Sequence, residues 1–248
     1  MNAHTHFDEA SMTPQPQSTL RSRLLDRVRA SHAHESQFHT VRRDALPWAP
    51  LAMAVRHKPL ARTALARSCL IEIDAGAALP LDAAFTQVEL VVLSGQAIAA
   101  TTLLACGEAA CMPHDRDHVL RAGLAGARLY LRLSAPDTPT TGLNHFSTVT
   151  GQDGWDDFCP GVRIRALWQG GERSSMLVRM QPGARVNAHG HPLEEECFML
   201  AGEAFVGDTL LRNSDYQLAP MGSRHGAVTT DVGALFYVHG SLDPAAYL

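Results

Sequence analysis

The 248-residue sequence predicts an all-β protein that contains two copies of one module and a short helical extension at the N-terminus. Two observations carry this prediction. Short runs rich in Val, Ile and Leu recur between turn residues, as strands do in sandwiches and barrels, at residues 69–73, 88–93, 128–133, 176–180, 196–200 and 234–239. In addition, the sequence resembles itself when it is shifted by 107 positions.

The internal repeat aligns residues 48–130 with residues 155–237 without a gap, and 20 of the 83 residue pairs are identical. Several identities involve residue types that seldom match by chance: Trp48 with Trp155, Gly95 with Gly202, Pro113 with Pro220 and Tyr130 with Tyr237. Self-similarity at a fixed spacing indicates repeated structural units. The predicted organisation is an extension over residues 1–39, a first module over 40–133 and a second over 147–243.

The extension contains the segment with the clearest helical period. Its apolar residues recur at a spacing that places them on one helix face: Leu20, Leu24, Leu25 and Val28. Ser18 is of a type that caps the first turn of a helix. The sequence therefore predicts a helix over about residues 18–30.

The composition narrows the classes of partner. The chain has 21 Lys and Arg against 25 Asp and Glu, and a pI of about 6.3, so a strongly basic surface for nucleic acid or an anionic membrane is not expected. No apolar run reaches the roughly 18 residues of a membrane span. Five cysteines without a CxxC pair indicate reduced thiols and a cytoplasmic protein.

The sharpest functional signal lies in the second module. His189 and His191 form an H-x-H pattern, and side chains on a strand alternate with a period of two, so both imidazoles share one face. Glu195, from the next strand, and His225, from a distant one, can complete the same cluster. Three neutral imidazoles and a carboxylate suit a divalent ion such as Zn²⁺, Fe²⁺, Mn²⁺, Ni²⁺ or Cu²⁺. We expect one divalent metal per chain, Zn²⁺ or Fe²⁺ in the first place and Mn²⁺ or Ni²⁺ as alternatives.

This pattern resembles the two motifs of the cupin family. The first motif, G-x5-H-x-H-x3,4-E-x6-G, is matched at every fixed position, by Gly183, His189, His191, Glu195 and Gly202. The second, G-x5-P-x-G-x2-H-x3-N, is matched by Pro220, Gly222 and His225, whereas Ser214 and Thr229 replace its outer Gly and Asn. The resemblance implies two tandem cupin barrels, also called double-stranded β-helices or jelly rolls.

Three adjacent glutamates follow the H-x-H pattern, and the family spacing selects Glu195 as the ligand. The repeat supports this choice, because Glu196 pairs with Glu89, a residue of the first module. That module has other residues at three ligand positions: Asp82, Ala84 and Val88. A glutamate that is kept in a module without metal ligands is better explained by structure, so Glu196 is predicted to be structural.

Three further residues are pocket candidates. Cys197 lies two positions beyond Glu195 and is expected to face the same barrel interior, either as a redox-sensitive thiol or as a small apolar residue. Glu194 and His239 are candidates for an acid or base near the open coordination positions. No catalytic residue is assigned.

The second module resembles ChrR-type cupins in particular, through Trp155, the segment GVRIRALW, the strand SSMLVRMQPGA and the doublet Glu195-Glu196. Such cupins occur in anti-sigma factors and in relatives assigned as acetylacetone-cleaving or aryl-ketone dioxygenases. Residues 1–39 contain no Cys, so the zinc motif of the anti-sigma domain is missing, which argues against a sigma factor as partner.

Two functions stay open. One is a metal-binding protein that senses or binds a small molecule or an oxidant, and the other is an Fe²⁺-dependent dioxygenase acting on a diketone or hydroxy-ketone. In either case we expect a small-molecule ligand or substrate and a homodimer.

Overall fold

The computed structural model describes residues 20–114, 119–137, 139–147 and 154–241. The chain divides into two units, Met1–Ser36 and Gln37–Leu248. The first unit contains helix α1, Leu20–Glu35, which continues five residues past the predicted end. Ser18 lies outside the described residues, as does His118, which the repeat aligns with His225. No helix in the described part of the chain is long and apolar enough to cross a membrane.

The second unit is built of strands. Those up to residue 147 are β1 (His39–Val41), β2 (Ala49–Ala52), β3 (Val55–Arg62), β4 (Ala66–Ile73), β5 (Ala78–Pro80), β6 (Gln87–Ala99), β7 (Thr102–Ala105), β8 (Glu108–Pro113), β9 (Val119–Ser134) and β10 (Asn144–Ser147). Those that follow are β11 (Asp156–Cys159), β12 (Val162–Gly170), β13 (Arg173–Met180), β14 (Arg185–Val186), β15 (His189–Gly190), β16 (Glu195–Val206), β17 (Thr209–Arg212), β18 (Tyr216–Ala219), β19 (Arg224–His225), β20 (Val228–Thr229) and β21 (Ala234–Gly240). The six predicted strands all lie within observed ones.

These strands form one sheet for each module. The first sheet has the order β10-β8-β6-β9-β4-β3-β2, with β5 beside β9 and β7 beside β6. The second has the order β1-β18-β16-β21-β13-β12-β11, with β17 and β20 beside β16 and β14 beside β20. A separate pair, β15 and β19, carries the H-x-H segment and the distant histidine. The prediction of an all-β fold is confirmed.

The sequence repeat is also a structural repeat. Strand β4 becomes β13 and strand β7 becomes β17 when 107 is added to their residue numbers. Each barrel has its own apolar core, and a third apolar cluster joins the two sheets. In this third cluster the ring of Tyr130 stacks on Phe198, with 4.6 Å between centroids, and lies 4.9 Å from Tyr237. The two modules therefore share a buried interface.

Each sheet takes an edge strand from the segment that precedes the other module. Strand β1 spans the predicted start of the first module but pairs with β18 of the second, with His39 opposite Leu218. Strand β10 lies before the second module but pairs with β8 of the first, with His145 opposite Ala110. The predicted boundaries at residues 40 and 147 fall on these exchanged strands. Each of the two strands therefore pairs with a strand on the far side of a predicted boundary.

A close backbone contact recurs in both modules. Gly95 and Gly202 have φ angles of +72° and +70°, a region that side-chain-bearing residues rarely adopt. A Cβ atom on Gly202 would overlap with the carbonyl oxygen of Gly233, and one on Gly95 would overlap with that of Gly126. Both contacts are related by the repeat, so each barrel requires a glycine at this bend.

We expect the substitution Gly202→Ala to lower the free energy of unfolding by about 3 kcal/mol, from the strained φ and the overlap together. Gly183 is a matched control, because its φ is +79° but an added Cβ would meet no atom within 4 Å. Gly183→Ala should therefore cost only about 1 kcal/mol. Urea unfolding measures both values, and equal losses would contradict the steric explanation.

Candidate metal centre

The four residues of the two motifs meet at one end of the second barrel. His189 on β15 lies directly opposite His225 on β19 in the antiparallel register. His191 follows β15 and is held by its backbone N–H, which donates to the carbonyl oxygen of Ser223 over 2.9 Å. Glu195 begins β16. Short strands at the end of the barrel therefore bring together residues up to 36 positions apart in sequence.

The geometry of this cluster suits a single ion. One ligand-type atom from each of the four residues lies within 4.8 Å of the others. The ring centroids of His189 and His225 are 4.4 Å apart. The ring centroid of His191 lies 4.8 Å from that of His225 and 5.3 Å from that of His189. All three imidazoles are buried. Three imidazoles and a carboxylate form a donor set for Zn²⁺ or another divalent first-row transition metal.

Hydrogen bonds orient two of the imidazoles. The Nδ1 atom of His189 lies 2.8 Å from the carbonyl oxygen of Asn187, and that of His225 lies 2.6 Å from the carbonyl oxygen of Gly226. Each Nδ1 then carries the proton, which leaves the Nε2 lone pair free to bind a metal. Burial lowers the pKa of His225 to about 4, so its ring is neutral near pH 7. The His225 ring therefore has the protonation state that a metal ligand requires.

Two further observations fit a bound cation. Both ring nitrogens of His191 are buried without a hydrogen-bond partner among the described residues. Such burial destabilises the folded state unless another group, such as a metal ion, binds one of the nitrogens. The Nδ1 atom of His191 lies 3.6 Å from the Glu195 carboxylate. Burial raises the pKa of Glu195, but the neighbouring imidazoles outweigh burial and lower it overall. The carboxylate is therefore ionised, as a ligand must be.

The adjacent glutamate, Glu196, faces the opposite side of the sheet. Its carboxylate accepts hydrogen bonds from Tyr216, at 2.9 Å, and from Ser68 of the first module. Arg132 donates to Glu196 over 2.9 Å and to Glu89 over 3.2 Å. The two glutamates related by the repeat thus share one buried arginine between the modules. We call these residues and their hydrogen-bond partners the inter-barrel network.

The barrel interior next to the cluster is a small apolar cavity. Its volume is about 80 Å³, and three of the four cluster residues contribute to its walls. Most of the remaining lining is apolar: Phe158, Ile164, Met176, Val178, Val186, Val206, Ala219, Val228, Phe236 and Val238. A cavity with such walls suits a small molecule with a predominantly apolar surface.

The structure separates the three pocket candidates. Cys197 lines the barrel cavity together with the cluster. Glu194 and His239 instead line a different cavity, between the barrels. Among its described residues, the first barrel has no comparable group of metal-ligating side chains. Asp82, at the position that corresponds to His189, is exposed and lies 3.6 Å from Arg67.

Three residues near the cluster were missed by sequence reasoning. Gln217 is buried in the wall of the cavity, and its amide donates to the Thr40 hydroxyl on the exchanged strand β1. Phe38 lies just before this strand, with its ring 6.3 Å from that of His225. Gly240 makes room for Glu195, since a Cβ there would lie 2.9 Å from the Glu195 Cγ. The alternation of β18 could have indicated Gln217, but no local signal connects residues 38–41 with the second barrel.

Comparison with known proteins agrees with this architecture. Residues 144–243, which cover the second module, match the family model of the ChrR cupin-like domain. Solved structures of cupin barrels superpose on the chain, among them a cupin 2 conserved barrel domain protein from Leptotrichia buccalis, with a TM-score of 0.58, 11% identity and coverage of 82% of this chain and 96% of that one. The chain has the cupin fold and resembles ChrR cupins. No curated protein matches it in sequence.

Two other solved structures resemble this chain in fold. A provisionally assigned dioxygenase from Nostoc punctiforme is 14% identical, with a TM-score of 0.63 and coverage of 84% of either chain. An oxalate decarboxylase variant from Bacillus subtilis is 14% identical, with a TM-score of 0.56 and coverage of 83% of this chain and 77% of that one. At these identities the likeness concerns the fold alone.

Proposed function

We propose that the second barrel binds one divalent transition metal and, through it, a small and largely apolar molecule, so that the protein senses or binds this molecule. The observation that carries the proposal is the convergence of three imidazoles and one carboxylate on an apolar cavity. A bound metal that takes five or six ligands would supply open coordination positions there for an oxygen atom of the ligand. His189, His191, Glu195 and His225 would hold it.

The other residues of the cavity support such a role. The apolar walls favour a ligand with hydrocarbon surface. Gln217 offers a hydrogen-bonding group in this apolar surrounding, and Thr40 holds its amide. The ligand that fits is therefore a compact ketone, diketone or related oxygen compound.

The surroundings of Cys197 favour a small molecule over an oxidant as the sensed species. Burial and the neighbouring Glu195 carboxylate raise the pKa of this thiol well above its usual range. A protonated thiol is a poor nucleophile and reacts slowly with oxidants. Cys197 is accordingly proposed as a small residue of the cavity wall.

A second candidate function is an Fe²⁺-dependent dioxygenase for diketones or hydroxy-ketones. The apolar cavity beside the proposed metal supports it, because apolar walls next to the metal reduce the access of water to the reacting atoms. The provisional dioxygenase from Nostoc punctiforme shares the fold. Neither Glu194 nor His239 lines the barrel cavity, so neither is proposed as its acid or base.

One experiment addresses binding. Protein prepared without chelator and loaded with Co²⁺ should contain about one ion per chain, since one barrel carries the ligand set. Acetylacetone, a compact diketone, should change the visible absorption of bound Co²⁺ in a saturable way. Two ions per chain would contradict the single-site proposal, and an unchanged spectrum would contradict ligand binding at the metal.

Oxygen consumption by the Fe²⁺ form with acetylacetone separates the two functions. Binding without oxygen uptake supports the sensing or binding role, whereas catalytic uptake supports the dioxygenase. A homodimer and a cytoplasmic location stay predictions. The five free cysteines are consistent with a reducing compartment.

A further inference from the structure

A second cavity, of about 460 Å³, lies between the two barrels and is separate from the metal centre. We call it the inter-barrel cleft. It is lined by residues 63–66, 132 and 134–137 of the first half of the chain and by residues 168, 170–173, 193–194, 221 and 239 of the second half. Its volume is in the range of sites for small organic molecules.

The walls of the cleft contain buried polar groups without partners. The Ser134 hydroxyl and the His239 Nε2 atom are both buried in the walls and make no hydrogen bond within the described part of the chain. These residues are 4% and 3% exposed. An unpartnered buried polar atom is costly, so two of them in one cavity indicate that a further molecule binds there.

Arg132 adds a third group to the same walls. Its Nε and Nη1 atoms donate to Glu196 and Glu89, and its Nη2 atom has no hydrogen-bond partner among the described residues. Although burial lowers the pKa of Arg132, the two carboxylates outweigh burial and raise it overall, so the guanidinium keeps its charge. Nη2 is therefore available to donate to a ligand oxygen atom.

His239 is held in place from behind. Its Nδ1 atom lies 2.7 Å from the Ser175 hydroxyl, and its ring stacks on Trp168 with 5.9 Å between centroids. Burial and the charges of Arg132 and Arg173 lower the pKa of His239, so the ring is neutral. When Ser175 donates to Nδ1, the single ring proton is on Nε2, which is then a donor within the cleft.

The charges around the cleft disfavour an anion. Two guanidinium groups, those of Arg132 and Arg173, line it. Five carboxylates lie in its walls or against Arg132: Glu89, Glu196, Asp137, Glu172 and Glu194. A carboxylate ligand would meet this excess of negative charge, whereas a neutral carbonyl oxygen can accept from the donors without that cost. Leu65, Trp168 and Met221 offer apolar contacts nearby.

We infer that the inter-barrel cleft is a second binding site, for a small neutral molecule that has a carbonyl oxygen and an apolar body. The oxygen accepts hydrogen bonds from Arg132, Ser134 and His239, and the apolar body packs on Trp168 and Leu65. This site requires no metal, so its test is independent of the proposed function.

Benzamide and benzoate are a suitable pair of probes, because they share a ring and differ in charge. The indole N–H signal of Trp168, assigned in a ¹H–¹⁵N spectrum by its loss in Trp168→Phe, reports binding at the cleft. Benzamide should shift this signal saturably below about 10 mM, as expected for a compound of its size. Benzoate should bind at least about fivefold more weakly.

Two serines related by the repeat provide the variant and its control. Ser134 lines the cleft and Ser241 lines the barrel cavity. Ser134→Ala should weaken benzamide binding about five- to tenfold, the effect of one lost hydrogen bond. Ser241→Ala should change it by less than about twofold. The inference is overturned by an unshifted Trp168 signal, which indicates ordered water only, by tighter binding of benzoate, or by equal effects of the two substitutions.

Discussion

Replacing both His189 and His191 by Ala is expected to reduce bound metal from about one ion per chain to less than about a tenth, because Glu195 and His225 alone are two ligands of the four. Elemental analysis after dialysis against metal-free buffer measures the change. The same two rings form part of the barrel end, so circular dichroism of the variant should confirm that the strands are intact. A variant that is folded and keeps its metal would contradict the ligand assignment.

The two adjacent glutamates make this test more specific. Glu195→Gln removes the carboxylate of the proposed site and should lower metal affinity by about 100-fold or more. Glu196→Gln is the matched control, because it makes the same substitution one residue away, on the other face of β16. It should leave metal affinity within about threefold and instead lower the free energy of unfolding by about 2 kcal/mol, from the weakened bonds with Arg132 and the tyrosines. Equal losses of affinity would contradict the division of roles.

The sequence predicts this division because strand alternation and the repeat agree. On β16, Cys197 faces the barrel cavity with Glu195, and Glu196 faces the other module. The same rule applied to β21 would have separated His239 from the metal centre, since Phe236 and Val238 line the cavity and His239 points away from it. Local periodicity is therefore sufficient to assign a residue to a face once its strand is known.

Features that depend on contacts between distant segments could not be predicted in this way. The pairing of β1 with the second sheet joins residues far apart in sequence, such as Thr40 and Gln217, and no motif records it. The inter-barrel cleft likewise exists only when the two barrels pack together. Arg132 and His239 occupy equivalent positions in the two modules. Both line the cleft between the barrels, and Arg132 donates to Glu196 of the other module, so the sequence of one module does not indicate these roles.

Arg132→Met is expected to lower the free energy of unfolding by about 3–5 kcal/mol, the usual effect of removing one partner of a buried ion pair. Methionine has a similar length but no charge, so the carboxylates of Glu89 and Glu196 would stay buried without a cation. Tyr237 donates to Glu89 over 2.8 Å and Tyr216 donates to Glu196 over 2.9 Å. These hydroxyls stay protonated because burial raises the pKa of both tyrosines, but they cannot neutralise two charges.

A double-mutant comparison distinguishes this charge effect from lost packing. In the Arg132→Met background, Glu196→Gln removes one of the two unpaired carboxylates, so the double variant should be more stable than Arg132→Met alone, although Glu196→Gln destabilises the parent protein. This reversal of sign follows because the glutamate stabilises the interface only while the arginine is present. Equal destabilisation of both backgrounds by Glu196→Gln would mean that Arg132 acts through packing. It would contradict an electrostatic role of the inter-barrel network in joining the two barrels.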